Sequence, residues 1–404
     1  MGILFWILTV IVAFWLVVLV IDRYMDLESH GIEIGSITML WRTKKGLGII
    51  DKISQSSKRL WKAFGILSAV AGIALMVLGF SNLTFKAFEV ILQIITPTTG
   101  GGGAPAVMPL IPGWTFPVEL FIPFVIGIGV VLIVHEPAHG IVARRLGLPL
   151  ESTGLLLFAV IPGAFVEPDE EKLNNSPVSD RLQVYGAGSV ANIIFGFLCL
   201  LLMLSLVSPL QGVFVAGVTE NTPASGNLNS GMRLTQVGYA SDSLIEIDNY
   251  QVFNDFMSRT SPGDNILLGT DNGEFTLTLD NHPNDNVGYI GIYSSESTNR
   301  ADLMVTQFKS IFVFWRKPRI SSVNPYSYDF LVPGYIIELL SMIVFLNIGI
   351  GIFNLLPLKP LDGGYITQGL VEKVSSKEFA EKAAIGMSLV TFGVIIINLL
   401  VWVL

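Results

Sequence analysis

The segment Val134-His135-Glu136-Pro137-Ala138-His139-Gly140 sets two histidines and a glutamate inside an otherwise apolar run. On a helix, His135 and His139 are one turn apart and share a face, so both imidazoles can bind one metal ion. Glu136 then lies beside that ion, where a carboxylate can take a proton from a bound water. The run reads as a membrane helix. Ionisable side chains are costly at membrane depth, which makes function their default reading there. The bland alternative, a pair of satisfied core histidines, needs a partner for each ring inside the bilayer.

A hydrolytic zinc site needs a third protein ligand and an open position. The single cysteine, Cys199, rules out cysteine-rich zinc patterns and any intrachain disulfide, so His, Asp or Glu must hold the metal. Asp362 is the strongest candidate for the third ligand. It stands in Asn354-Leu-Leu-Pro-Leu-Lys-Pro-Leu-Asp-Gly-Gly364, where the prolines and glycines predict that the preceding span unwinds and that Asp362 follows in a non-helical stretch. Taken alone, it reads equally as a solvated turn residue. A third element is Tyr185-Gly-Ala-Gly-Ser-Val-Ala-Asn192. Its glycines permit close helix approach, and Asn192 is an amide able to bond a peptide group or a ligating side chain. Helix-packing glycines with one interhelical asparagine is the simpler account of that run.

These groups must be carried by membrane helices. The chain of 404 residues is 51% hydrophobic and 14% charged, with a mean hydropathy of +0.63, a membrane composition. Six stretches reach the length of about 20 residues that a span requires: Gly2–Ile21, Phe64–Leu83, Phe121–Ala143, Leu182–Pro209, Ile336–Leu356 and Ala383–Val403. The first follows Met1 with no basic n-region and no small-residue cleavage pattern, so it reads as a retained span rather than a signal peptide. The predicted fold class is a polytopic α-helical membrane protein of about six transmembrane helices. Residues 1–209 and 336–404 form its membrane regions.

Basic residues set the orientation. Of 24 Lys and Arg, 16 fall in the loop from Asp22 to Lys62 and in the segments after the third and fifth spans, which the positive-inside rule assigns to the cytosol. His135, His139 and Asp362 then share one depth near the cytosolic face of a multi-pass cell-membrane protein. Both termini and the insert after the fourth span lie outside. Between Gln211 and Asp302 there are 12 acidic and 3 basic residues, so the net charge of −8 resides in that insert. No basic face is available there for nucleic acid.

The insert, 211–292, consists of short β-rich runs separated by Gly, Asn and Asp turns and predicts one small β-rich domain. Residues 303–320 alternate aromatics with cations, the pattern of an interfacial segment. Ser152 to Val166, broken by Pro162-Gly163, is too short to span. It reads as a hairpin dipping into the bundle or as a loop on the membrane surface. The run from Pro97 to Pro105 reads as a flexible linker rather than a gate.

Taken together, His135-Glu-Pro-Ala-His139, the glycine-rich stretch ending in Asn192, and Asn354 through Gly364 resemble the site-2 protease family of intramembrane zinc metalloproteases, of the prokaryotic type with one PDZ-like domain. Ile161-Pro-Gly-Ala-Phe-Val-Glu167 resembles that family's membrane β-hairpin. The insert is similar to its PDZ-like domains through Asn221-Thr-Pro-Ala-Ser-Gly226 and Ser230-Gly-Met-Arg-Leu-Thr235. The resemblance implies one Zn2+ per chain on His135, His139 and Asp362, with Glu136 as general base and Asn192 and Asn354 as polar groups near the substrate. It further implies transmembrane protein substrates in the lipid bilayer, filtered by the outer domain, for example against those not already trimmed by another protease. Pro137 and Ala187 depart from the family pattern; Pro137 removes a backbone bond to Ile133 and predicts a kink within the motif. Two rivals are a membrane zinc carrier or sensor without hydrolysis, and a membrane-anchored protease cutting soluble polypeptides.

Overall fold

A computed structural model of the chain describes residues 3–400 apart from 26, 45, 96–106, 108, 112, 241–242, 284 and 297–327. The predicted interfacial segment 303–320 and the whole Pro97–Pro105 run lie outside the described residues. The first apolar stretch forms a 23-residue helix, α1 (Ile3–Met25). The basic stretch that follows, read from sequence as a loop, folds into strands β1 (Ile32–Ile34) and β2 (Thr38–Thr43) and helix α2 (Leu47–Ser56). Helix α3 (Lys58–Ile95) is 38 residues long, well beyond the expected Phe64–Leu83. Its polar residues do not interrupt it: Lys86 and Glu89 pair one turn apart at 2.6 Å.

Helix α4 (Phe121–Arg145) carries the histidine motif. The hairpin β3 (Leu150–Phe158) and β4 (Ile161–Pro168) follows, then the short α5 (Glu170–Asn175) and α6 (Val178–Ser205). After the insert come α8 (Gly334–Asn354), α9 (Asp362–Glu372) and α10 (Lys377–Leu400), α7 being the helix of the insert, Tyr250–Met257. Among the described residues five helical segments are long and apolar enough to cross a membrane: α3, Val118–Arg145, α6, α8 and α10.

The described residues of 1–200 and 339–404 form one compact unit. In it, β1-β2-β3-β4 make an antiparallel sheet in chain order, so the hairpin expected at 152–166 is half of a four-stranded sheet. The chain reverses at Ala159 and Val160, ahead of Pro162-Gly163. Pro162 instead pairs with Leu157 within β4, and an edge strand tolerates a residue with no N–H. Trp15, in the middle of α1, donates its indole N–H to the Ala159 carbonyl at the hairpin tip, 2.8 Å away.

Helix contacts in this unit rely on small residues and interhelical amides. A Cβ on Gly186 of α6 would overlap the Ser68 carbonyl of α3, so only glycine allows that approach. Asn398 of α10 donates to the Leu83 carbonyl of α3 at 3.1 Å. The unwound segment after Asn354 has its backbone groups satisfied by α10. Ser388 Oγ accepts from Lys359 N at 2.9 Å, and Thr391 Oγ1 donates to the Pro357 carbonyl at 3.1 Å. Irregular backbone at membrane depth requires such partners. Arg181 at the start of α6 bonds Glu372 at the end of α9 at 2.6 Å. This bond holds the Glu372 carboxyl below its usual range. The pair therefore contributes fully above the ordinary carboxylate pKa and is lost as pH falls through the lowered one.

The described residues of 201–309 and 321–338 form a second unit. Its main sheet joins β5 (Val213–Val218), β6 (Arg233–Tyr239), β7 (Ile245–Glu246), β8 (Asn265–Thr270), β9 (Gly273–Thr278) and β10 (Ile292–Glu296), in the order β9-β8-β6-β5-β10 with β7 on β6. The inward residues Val213, Val215, Leu234, Val237, Ile266 and Leu268 are fully buried and pack with Phe253 and Phe256 of α7. Alternating apolar residues in short runs close such a core, as the sequence of the insert predicts.

Candidate metal centre

Helix α4 continues through Pro137, and both histidines of the motif point to one side of it. His135 is buried, with 5% of its surface exposed. The imidazole Nε2 atoms of His135 and His139 lie 3.1 Å apart, and Asp362 Oδ2 lies 3.3 Å from the first and 3.5 Å from the second. A tetrahedral zinc ion about 2.0–2.1 Å from each ligand has ligand–ligand edges of about 3.3–3.4 Å. The three atoms already stand at the corners of such a face. These residues could hold one metal ion, and two nitrogens with one carboxylate oxygen is a donor set that zinc accepts.

The far side of each imidazole is also engaged. His139 Nδ1 is 2.7 Å from the Val184 carbonyl of α6. A carbonyl only accepts, so Nδ1 carries the proton and Nε2 presents its lone pair to the cluster. His135 Nδ1 lies 3.1 Å from the side-chain amide of Asn192, which is fully buried. The atom at that distance is Asn192 Nδ2; with Nε2 of His135 turned to a metal, Nδ1 carries the proton, and the amide accepts it once turned over so that its oxygen takes that place. Asn192, expected near the substrate, thus sits behind a candidate ligand. Asn354 lies on the cluster itself, its amide nitrogen 3.1 Å from His135 Nε2.

Asp362 is the first residue of α9 rather than part of a non-helical stretch. The unwound segment ends at Leu361, which is extended and precedes the helix, and a carboxylate in a first turn is favoured by the helix dipole. Ser189 donates to Asp362 Oδ2 at 3.3 Å. Ser189 carries no signature of its own in the sequence, although it lies three residues before Asn192 in the same glycine-rich run.

Gly188 explains why that run is rich in glycine. A Cβ there would sit 2.7 Å from both Cε1 and Nε2 of His135, and closer still to Nε2 of His139. Gly188→Ala is therefore expected to push the imidazoles apart and weaken zinc retention by at least about tenfold. Gly386→Ala, whose Cβ would meet nothing within 4 Å, should leave zinc content unchanged. Metal analysis of the two purified variants checks this.

Glu136 faces β4: the Val166 N–H points at its Oε2 across 3.4 Å. The two-residue turn makes Phe158 and Ile161 the closing hydrogen-bonded pair. Alternate residues Pro162, Ala164 and Val166 then turn their backbone groups to the free edge of the sheet. That edge carries backbone donors and acceptors next to the candidate base.

A multi-helix protein with membrane-spanning helices, two histidines and an aspartate placed to hold a metal ion, and a glutamate beside them has the features of a membrane metalloprotease. Residues 123–398 match Peptidase family M50, and the chain belongs to that family, which includes the site-2 proteases. It is 27% identical over 391 residues to an uncharacterized protein of Methanocaldococcus jannaschii, covering 96% of this chain and 91% of the relative. A protein of Clostridium acetobutylicum named as a zinc metalloprotease is 21% identical over 330 residues, covering 69% of this chain and 94% of the relative. A membrane-bound transcription factor site-2 protease homolog of Arabidopsis thaliana is 29% identical over 126 residues, which is 30% of this chain and 23% of the relative.

Proposed function

We propose that this chain is a zinc metalloprotease that hydrolyses peptide bonds within the transmembrane segments of membrane-anchored substrates. The observation that carries the proposal is the position of Glu136 between the His135, His139, Asp362 cluster and the free edge of β4. When bound, zinc supplies Lewis acidity that polarises a peptide carbonyl and acidifies water towards neutrality. His135, His139 and Asp362 hold the ion. Asn192, Val184 and Ser189 orient them from behind. Glu136 takes the proton from the attacking water and passes it to the leaving amine.

A substrate helix bonds its own amides, so its scissile segment must unwind before cleavage. The edge of β4 offers that strand replacement partners by β-addition. Contact between the hairpin tip and the middle of α1 supports a hairpin set within the membrane rather than on its surface. Asn354, on the cluster and only partly buried, is placed to bond a substrate carbonyl. In this reading the motif lies towards the cytosolic face and the second unit is a PDZ-like domain outside, screening substrates before they enter. A carrier would need further polar sites along a path. Among the described residues His135, His139 and Asp362 make the single cluster able to hold a metal.

The test uses the purified full chain in lipid with a synthetic transmembrane peptide whose centre is helix-destabilised. Cleavage is expected, should stop on chelation, and should return with zinc. A zinc-loaded protein that leaves the peptide intact overturns the proposal.

A further inference from the structure

Where the first turn of α3 meets the last turn of α4, a cavity of about 570 Å³ is lined by Lys58, Lys62, Arg144 and Arg145. One carboxylate, Asp51 of α2, also faces it, and it is bound to Arg144 at 2.7 Å. Lys58, Lys62 and Arg145 have no ion-pair partner among the described residues; Arg145 donates instead to the Gln183 amide oxygen at 3.2 Å. Four cations with one anion around a single cavity repel one another unless an anion joins them.

The location narrows which anion. Both α3 and the helix ending at Arg145 are long and apolar enough to span a membrane, so the cavity lies at the level of lipid headgroups. Helix α2, which lines one side, buries Ile50 and Ser54 against the protein and exposes Ile49 and Ile53 one turn apart. Leu60 on the first turn of α3 is 58% exposed, and Trp61 donates its indole N–H to the Ile53 carbonyl at 2.7 Å. An amphipathic helix with exposed isoleucines and a tryptophan at a span's end is the arrangement of an interfacial element. Basic pockets between membrane helices suit phosphate-bearing headgroups.

We propose that this cavity binds the phosphate group of an anionic phospholipid, the exposed side chains of α2 and α3 lying against its acyl chains. The site is separate from the metal cluster, although Gln183 stands next to Val184, whose carbonyl holds His139.

The test is native mass spectrometry of the delipidated full chain with phosphatidylglycerol, phosphatidylcholine or inorganic phosphate. Phosphatidylglycerol should be retained and phosphatidylcholine not. Lys58→Gln/Lys62→Gln should weaken retention about 30-fold, two cations near the surface being lost, with zinc content unchanged as the check on folding. Lys52→Gln/Arg59→Gln, which removes exposed cations of the same two helices outside the cavity, should retain the lipid as the unaltered protein does. Equal retention of both lipids, or equal loss in the two double variants, overturns the site. Saturation by inorganic phosphate without retention of phosphatidylglycerol overturns the lipid assignment.

Discussion

Glu136→Gln is expected to lower peptide-bond cleavage by about 10²- to 10⁴-fold, the usual contribution of a positioned general base, while zinc content stays unchanged. The amide has nearly the same shape as the carboxylate and can still accept from the Val166 N–H, so the packing of α4 on β4 is kept. What it lacks is the basicity to take a proton from water. The ligating atoms of His135, His139 and Asp362 are untouched, since Glu136 makes none of the contacts that define the cluster. Cleavage of a transmembrane peptide and metal analysis on the same preparation give both readouts. Retained zinc with lost cleavage also separates hydrolysis from a carrier role. A variant that cleaves at the full rate removes Glu136 from the mechanism.

Asp362→Ala is expected to cost both zinc and activity. Residues that merely support a ligand typically contribute about 10- to 100-fold to metal affinity, and removal of one of three ligands should exceed that. The aspartate also gives the cluster its only negative charge among the three donors, in a buried place where a dication needs one. Ser189 would be left without its carboxylate partner, and the alanine would still start α9, because Leu361 and not Asp362 precedes the helix as its cap. Unchanged zinc in this variant would sink the three-ligand arrangement. Asn354, 3.1 Å from His135 Nε2, would then be the next group to test.

The parts of this site legible in the sequence were those with a local signature. Residues four apart on a helix share a face, so His135 and His139 announced themselves. Prolines and glycines after a long apolar run marked the break at which Asp362 stands, although they did not show that it opens a new helix. Less local features were harder to read. Asn192 reaches His135 across 57 positions and Ser189 reaches Asp362 across 173, and neither spacing leaves a periodic trace. Gly188 looked like an ordinary helix-packing glycine, because the imidazoles it makes room for belong to another helix. The stretch from Ile32 to Thr43 looked like a charged loop, since three- and six-residue strands are too short for alternation to stand out from basic neighbours.

By itself, then, the sequence determined the candidate metal-ligand residue types, the apolar runs that carry them and the β-rich character of the insert. These depend on side-chain chemistry, on hydrophobic length and on alternation, all of which are encoded locally. The tertiary structure decided which nitrogen of each histidine faces the cluster, and that Asn192 stands against the far nitrogen of His135. It also decided that β4 is the edge of a four-stranded sheet, with its free backbone groups beside Glu136. Those outcomes depend on which helix or strand packs beside which, and close packing settles that only once the whole unit has assembled.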